Sequence, residues 1–272
     1  MHRFPWKLAV IGLVVVAACH PEFQLKKFTT NEALYQASLR QFQRGKYDDA
    51  VTGFEKLTLE LAPRDTLAAR SFWYLGLAHQ KQREYQLAAT AFNRIFESFP
   101  DDSLTDHALL EEGRSYQSMW TRPDRDATFG DAALATYSSL MTYRPDSPLI
   151  PEARKEIATL QNWFAIKNYD VAMYYLRDKG YDQAVIYLKY VLETWPDALK
   201  AKEAGLRLVE IYRVLRYIPE AEETCSGLRT KYPADGEVKR TCPPPPVSAT
   251  KPVTTDPVKP PSAGAGDRTA AR

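Results

Sequence analysis

The sequence predicts an all-α protein, an α-solenoid of about five helical hairpins, and two observations carry that expectation. From Asn31 to Pro233 the apolar residues recur at helical spacing, with little of the strict alternation that a half-buried strand would need. Within that stretch the segments "YDDAVTGFEKL", "YQLAATAFNRIFESFP", "GDAALATYSSLMTYRP", "YDQAVIYLKYVLETWP" and "IPEAEETCSGLRTKYP" superpose on one alanine, at Ala50, Ala88, Ala133, Ala184 and Ala221. One turn later come Phe54, Phe92, Tyr137, Leu188 and Cys225, and after them Leu57, Ile95, Leu140, Val191 and Leu228. A proline then closes four copies, at Pro100, Pro145, Pro196 and Pro233, while Pro63 closes the first one residue late.

The columns have a simple physical reading. An alanine where two antiparallel helices cross lets the backbones approach, and the two larger residues after it form one apolar stripe. Proline ends the second helix because it cannot continue the hydrogen-bond ladder. Upstream of each alanine a first helix is expected, with Ser38, Gly76, Gly113, Ala172 or Val209 at its crossing point.

The elements follow in order. Residues 1–18 read as a signal peptide: Arg3 and Lys7 precede an apolar run from Leu8 to Cys19, too short for the roughly 20 residues of a spanning helix. Val16, Ala17 and Ala18 before Cys19 resemble the bacterial lipoprotein signal, in which the cysteine is lipid-modified and becomes the first mature residue. The alternative is ordinary cleavage after Ala18, leaving a free thiol. Residues 19–30 are then a lipidated linker, 31–147 hold repeats one to three, and 148–240 hold repeats four and five. The third repeat carries "SMWTRPDRDATF" between its helices, about eight extra residues expected as a loop or lengthened hairpin. The fourth begins with one long helix, from Pro151 to about Lys179, ended by Gly180. The tail, 241–272, opens "CPPPP", holds eight of the nineteen prolines and has no aromatic or leucine, so it is expected to be extended and disordered.

A period in the thirties with this arrangement resembles the tetratricopeptide repeat, most clearly in "WYLGLAHQKQREYQLAATAFNRIFESFP". The lipoprotein signal, five such repeats, "NYDVAMYYLRDKGYDQAV" in the fourth, and the turns "FPDDS", "RPDSP" and "WPDAL" together resemble the BamD family. Its members are lipoprotein subunits of the machine that folds β-barrel proteins into the outer membrane. The resemblance covers roughly residues 19–233; Pro219, Cys225 and the proline-rich tail depart from it.

Composition limits other readings. The formal charge is +2, Arg3 and Lys7 of the signal contribute that much, and the tail is basic, so the body is slightly acidic and gives no electrostatic footprint for nucleic acid. There is no His-Glu-x-x-His, no paired-cysteine zinc spacing, no Gly-x-Ser-x-Gly and no phosphate-cradling glycine loop. A non-enzyme is expected, with no cofactor beyond the covalent lipid on Cys19, probed by palmitate labelling. Cys225 and Cys242 either form a disulfide, as an oxidising compartment allows, or leave Cys225 a buried thiol; spacing does not decide.

First-helix side chains of a hairpin solenoid line its concave binding face. The row expected there is Tyr35, Trp73 and Leu110, then Leu39, Leu77 and Arg114, with Arg70, Lys81 and His107 at its edge. An aromatic groove with cations beside it suits an extended peptide ending in an aromatic and a carboxylate. The family resemblance implies that ligand, the C-terminal β-signal of an unfolded barrel client, and packing between helices is the competing role of each apolar residue. It also implies docking of the barrel subunit BamA, alongside other assembly subunits, on repeats four and five around Tyr190, Glu193, Arg207, Glu210, Arg213 and Arg216, which otherwise form a solvated face. The place it implies is the periplasmic face of the outer membrane, held by the lipid. The alternative function is another periplasmic tetratricopeptide lipoprotein, an adaptor in pilus biogenesis or cell-envelope division.

Overall fold

The computed structural model describes residues 23–62 and 64–244; the expected signal peptide, Cys19, Pro63 and tail residues 245–272 lie outside the described residues. Ten helices pair in sequence: α1 (Asn31–Gln43) with α2 (Tyr47–Glu60), α3 (Thr66–Lys81) with α4 (Tyr85–Ser98), and α5 (Thr105–Met119) with α6 (Thr128–Tyr143). The fourth hairpin joins α7 (Ile150–Arg177) to α8 (Tyr181–Thr194), and the fifth joins α9 (Ala201–Val214) to α10 (Ile218–Lys231). A short α11 (Gly236–Thr241) follows, and a 3₁₀ turn (Leu25–Lys27) precedes the array. Each helix packs on the next, as short antiparallel connections require. No strand occurs among the described residues.

The sequence columns are the core. All five alanines, all five residues one turn on and all five after those are buried. Crossing residues on the first helices match them in size. A β-carbon at Gly76 would sit 2.7 Å from the Phe92 ring, and one at Gly113 would collide with Tyr137. In the fifth hairpin the sizes are exchanged: Val209 on α9 shares a cluster with the smaller Cys225 on α10. Volume is conserved across the crossing, as close packing demands.

Both kinds of turn repeat as well. Phe99, Arg144, Trp195 and Tyr232 end their helices at φ between −127° and −136° and ψ between 54° and 60°, each directly before its proline. The pyrrolidine ring forces that departure from helical geometry. Within hairpins one, two, four and five, a residue with positive φ reverses the chain: Gly45, Arg83, Lys179 and Arg216. The next backbone N–H reaches the carbonyl five residues earlier, at Gln41, His79, Tyr175 and Tyr212, closing the first helix. The long helix α7 therefore stops through Lys179 at φ 59°, whereas Gly180, expected to end it, has φ −75°.

Two segments carry more packing than the sequence alone shows. Residues 23–30 are not a free linker: Phe23, Leu25 and Phe28 pack on the first hairpin's cluster, with Phe23 seated where Gly53 leaves room. The insertion in the third hairpin forms the expected loop between α5 and α6, and one of its residues is core. Its Trp120 is only 1 % exposed and packs against Gly130, Trp163 and Phe164, joining the third hairpin to α7. The core therefore continues across the expected division at residue 147, from Leu109 and Tyr137 to Leu160 and Phe164.

Candidate functional site

The expected client row divides into buried and accessible members. Tyr35 is 5 % exposed, edge-on to Phe54 at 5.8 Å and to Tyr74 at 6.3 Å, and burial raises its phenol pKa. Leu110 is 2 % exposed and lies in the central core. Both are packing residues, which corrects their assignment to a groove. Tyr35 points into the cluster shared with α2 and α3, and Leu110 into the central core. Leu39 is half-buried against the first cluster.

The remaining members form a smaller patch on α3 and α5. Asp65 caps α3 by accepting the Leu67 N–H at 2.8 Å, which sets where the helix starts. Trp73 is half-buried, with its ring 5.3 Å from Phe92 and 6.1 Å from the exposed His107. Leu77 adjoins the same cluster. Arg70 and Lys81 are exposed at either end of α3 and make no ion pair among the described residues. The patch thus offers an indole face, an imidazole and two available cations.

Arg114 does not belong with those cations. Its guanidinium binds Glu111 at 2.7 Å, Glu152 at hydrogen-bond distance and Glu156 at 3.6 Å. Three carboxylates around one cation leave nothing to attract a peptide carboxylate, so its expected role is corrected. It instead anchors a polar network that sequence reasoning missed. Gln80 of α3 donates to Glu111 and Ser115 of α5, each at 3.0 Å; Gln117 donates to Glu156 of α7 at 3.3 Å and accepts from Tyr137 of α6 at 2.9 Å. The signal for it was the carboxylate and amide residues at one-turn spacing on successive first helices. Beside this network, Glu112 is buried, and desolvation, reinforced by the charge of Glu97, raises its pKa to about 8.

The expected docking face on the last two hairpins is also mixed. Tyr190 is half-exposed and edge-on to Trp195 at 5.0 Å, and Glu193 is exposed. Arg207 pairs with Glu210 on its own helix at 2.8 Å. Arg213 donates to the Thr241 carbonyl at 2.7 Å and so holds α11, which corrects its assignment as a free contact residue. Arg216 is exposed in the α9–α10 turn. Around it the structure adds exposed apolar side chains not anticipated from sequence: Val214, Tyr217 and Ile218. Between α8, α9 and α10 runs a groove of about 420 Å³ floored by Leu192, Leu208 and Tyr212. Burial, with Glu220, Glu193 and Glu223 nearby, raises the Tyr212 pKa. Cys225 and Cys242 are bonded, with Cα atoms 5.2 Å apart, fixing the end of α11 to α10. Among the described residues no cluster of His, Cys, Asp and Glu is arranged to hold a metal ion, and no helix is long and apolar enough to cross a membrane.

A family model described as "Outer membrane lipoprotein", YfiO, matches residues 28–227. The outer membrane protein assembly factor BamD of Caulobacter vibrioides is 24 % identical over 204 residues, covering 75 % of this chain and 67 % of that protein. Its namesake from Vibrio cholerae is 28 % identical over 201 residues, covering 70 % and 83 %. That of Xylella fastidiosa is 22 % identical over 234 residues, covering 81 % and 79 %. A solved TPR repeats protein from Bacteroides fragilis aligns at 14 % identity and a TM-score of 0.48, over 79 % of this chain and 96 % of that one.

Proposed function

Because the chain belongs to the YfiO family of outer membrane lipoproteins, we propose that it is a lipid-anchored scaffold of the β-barrel assembly machine, acting in outer membrane protein assembly. Relatives that carry the name outer membrane protein assembly factor BamD support that reading along most of the chain. The work proposed is binding, not catalysis. An acylated Cys19 holds the mature protein at the periplasmic face of the outer membrane; two or more acyl chains are needed, because one alone gives only marginal attachment.

Clients are held at the Trp73 patch. An extended segment ending in an aromatic and a carboxylate lays its ring against Trp73 and Leu77, and Arg70, Lys81 and His107 attract its charge. The barrel subunit BamA docks at the other end of the array, where Val214, Tyr217 and Ile218 surround Arg216, with Tyr190, Glu193 and the Arg207–Glu210 pair nearby in sequence on the last two hairpins. Large apolar residues gathered at an exposed turn, with charges beside them, have the make-up of a partner contact.

The observation that carries the reading is the family match laid over an unbroken run of five hairpins. Two measurements test it together: palmitate labelling of Cys19 with membrane fractionation, and cross-linking of a photoreactive group at Trp73 to newly exported barrel proteins. Label in the outer membrane and barrel adducts are expected. A protein without label, or adducts only to pilus or division proteins, would overturn the proposal.

A further inference from the structure

The docked segment 23–28 leaves only residues 20–22 between Cys19 and the folded body, a span of at most about 14 Å when fully extended. Phe23 is fixed against α2 at Gly53 and lies 5.5 Å from Phe28, so the chain is firmly seated where it leaves the fold. Immediately beside this seat is a cavity of about 220 Å³ lined by Phe23, Phe28, Lys27, Arg40, Arg44 and Gln41, among others. Arg40 on α1 and Arg44, which caps its C-terminus, stand one turn apart, and Lys26 is exposed next to Lys27. Among the described residues none of these four cations makes an ion pair, so their charge is available to a ligand. The only acidic residue from His20 to Thr30 is Glu22.

We propose that this end of the first hairpin is a docking face for anionic phospholipid headgroups. Lys27, Arg40 and Arg44 bind the phosphodiester, Lys26 adds to the field, and the two phenylalanines lie at the level where headgroup meets acyl chain. The inference rests on the acylated Cys19 of the proposed function for bringing the face to a bilayer, since a tether this short holds the cations well within reach of the surface. A flexible tether alone lets the array swivel. A second contact so close to the first fixes its orientation, and with it the direction in which the client and partner surfaces point.

Each cation near an anionic surface contributes roughly 1 kcal/mol, which is about fivefold in partitioning. The test uses the full mature chain with Cys19→Ser, which carries no acyl group, floated with vesicles of phosphatidylcholine alone or mixed with phosphatidylglycerol. Binding only to the phosphatidylglycerol vesicles is expected, weakened by salt and reduced roughly 25-fold by Arg40→Gln with Arg44→Gln at an unchanged melting temperature. Binding that ignores phosphatidylglycerol, or that the double variant leaves intact, would overturn the proposal. So would full competition by millimolar inorganic phosphate, which would make the cavity an anion pocket and not a membrane face. Palmitate labelling of the chain with Cys19 intact reads the anchor separately: label there with no phosphatidylglycerol dependence of the Cys19→Ser form removes this face alone, and no label there while the Cys19→Ser form still floats supports the face and removes the anchor.

Discussion

Gly76 on α3 lies so close to Phe92 on α4 that a β-carbon there would stand 2.7 Å from the ring. The two residues are one joint of the solenoid: the missing side chain makes the space that the phenyl fills. Gly76→Ala is expected to destabilise by about 1–3 kcal/mol through overpacking, and Phe92→Ala by about 3–5 kcal/mol through the cavity it leaves. Urea denaturation of the two variants measures both, and a neutral Gly76→Ala would show that the hairpin crossing is looser than described.

The client patch is tested most cleanly at its charges, because Trp73 also supports Phe92. Arg70→Gln with Lys81→Gln is expected to weaken binding of a peptide with a C-terminal aromatic by several-fold, since each removes one exposed attraction to its carboxylate. The melting temperature is expected to stay within a degree or so, as both side chains are exposed and make no ion pair among the described residues. Fluorescence anisotropy with the peptide acid and its amide reads the effect, and equal binding of the two peptides would remove the carboxylate from the account.

Cys225 and Cys242 close a loop across 17 positions. In the chain-entropy account a loop of that size restricts the unfolded state enough to stabilise by about 3 kcal/mol. Reduction, or Cys242→Ser, is expected to lower stability by about that amount and to speed amide exchange in α11, leaving α1 to α8 protected. Uniform loss of protection along the chain would mean that the staple governs more than its own corner.

Glu112 gives the stability a sign with pH. Its folded-state pKa of about 8 lies above the ordinary value of 4.5, so the folded protein holds a proton that the unfolded chain releases. The stability present below pH 4.5 is therefore lost progressively as pH rises from about 4.5 through 8. Glu112→Gln is expected to flatten that slope and to stabilise by roughly 2–3 kcal/mol near neutral pH. Melting of wild type and Glu112→Gln at several pH values measures it; a difference between the two that does not grow from pH 5 to 8 would contradict the assignment.

The hairpins were legible because their columns recur: alanine and large residue sit at fixed offsets, proline does so in four of the five copies, and every alanine of the column is buried. A row at one offset on the first helices was less informative. It did not reveal that Tyr35 lies against Phe54 and Tyr74 and Leu110 in the central core, so both read like Trp73 although they are core. Charge alone was also ambiguous. Arg114 and Arg213 resemble Arg70 in sequence; Glu111, three residues before Arg114, was within local reach, but Glu152 and the Thr241 carbonyl come from other helices. Trp120 was hidden for a similar reason, since the α7 residues Trp163 and Phe164 that bury it are distant in sequence. The cysteine pair needed geometry that spacing does not supply.

The most direct test of the central claim is co-purification of the tagged, lipidated protein from gently solubilised outer membranes. The account predicts one dominant companion, a large β-barrel protein with periplasmic repeats, lost when Val214, Tyr217 and Ile218 are changed together to polar residues in a chain that still folds. Recovery of pilus or division proteins instead, with no barrel protein, would contradict it.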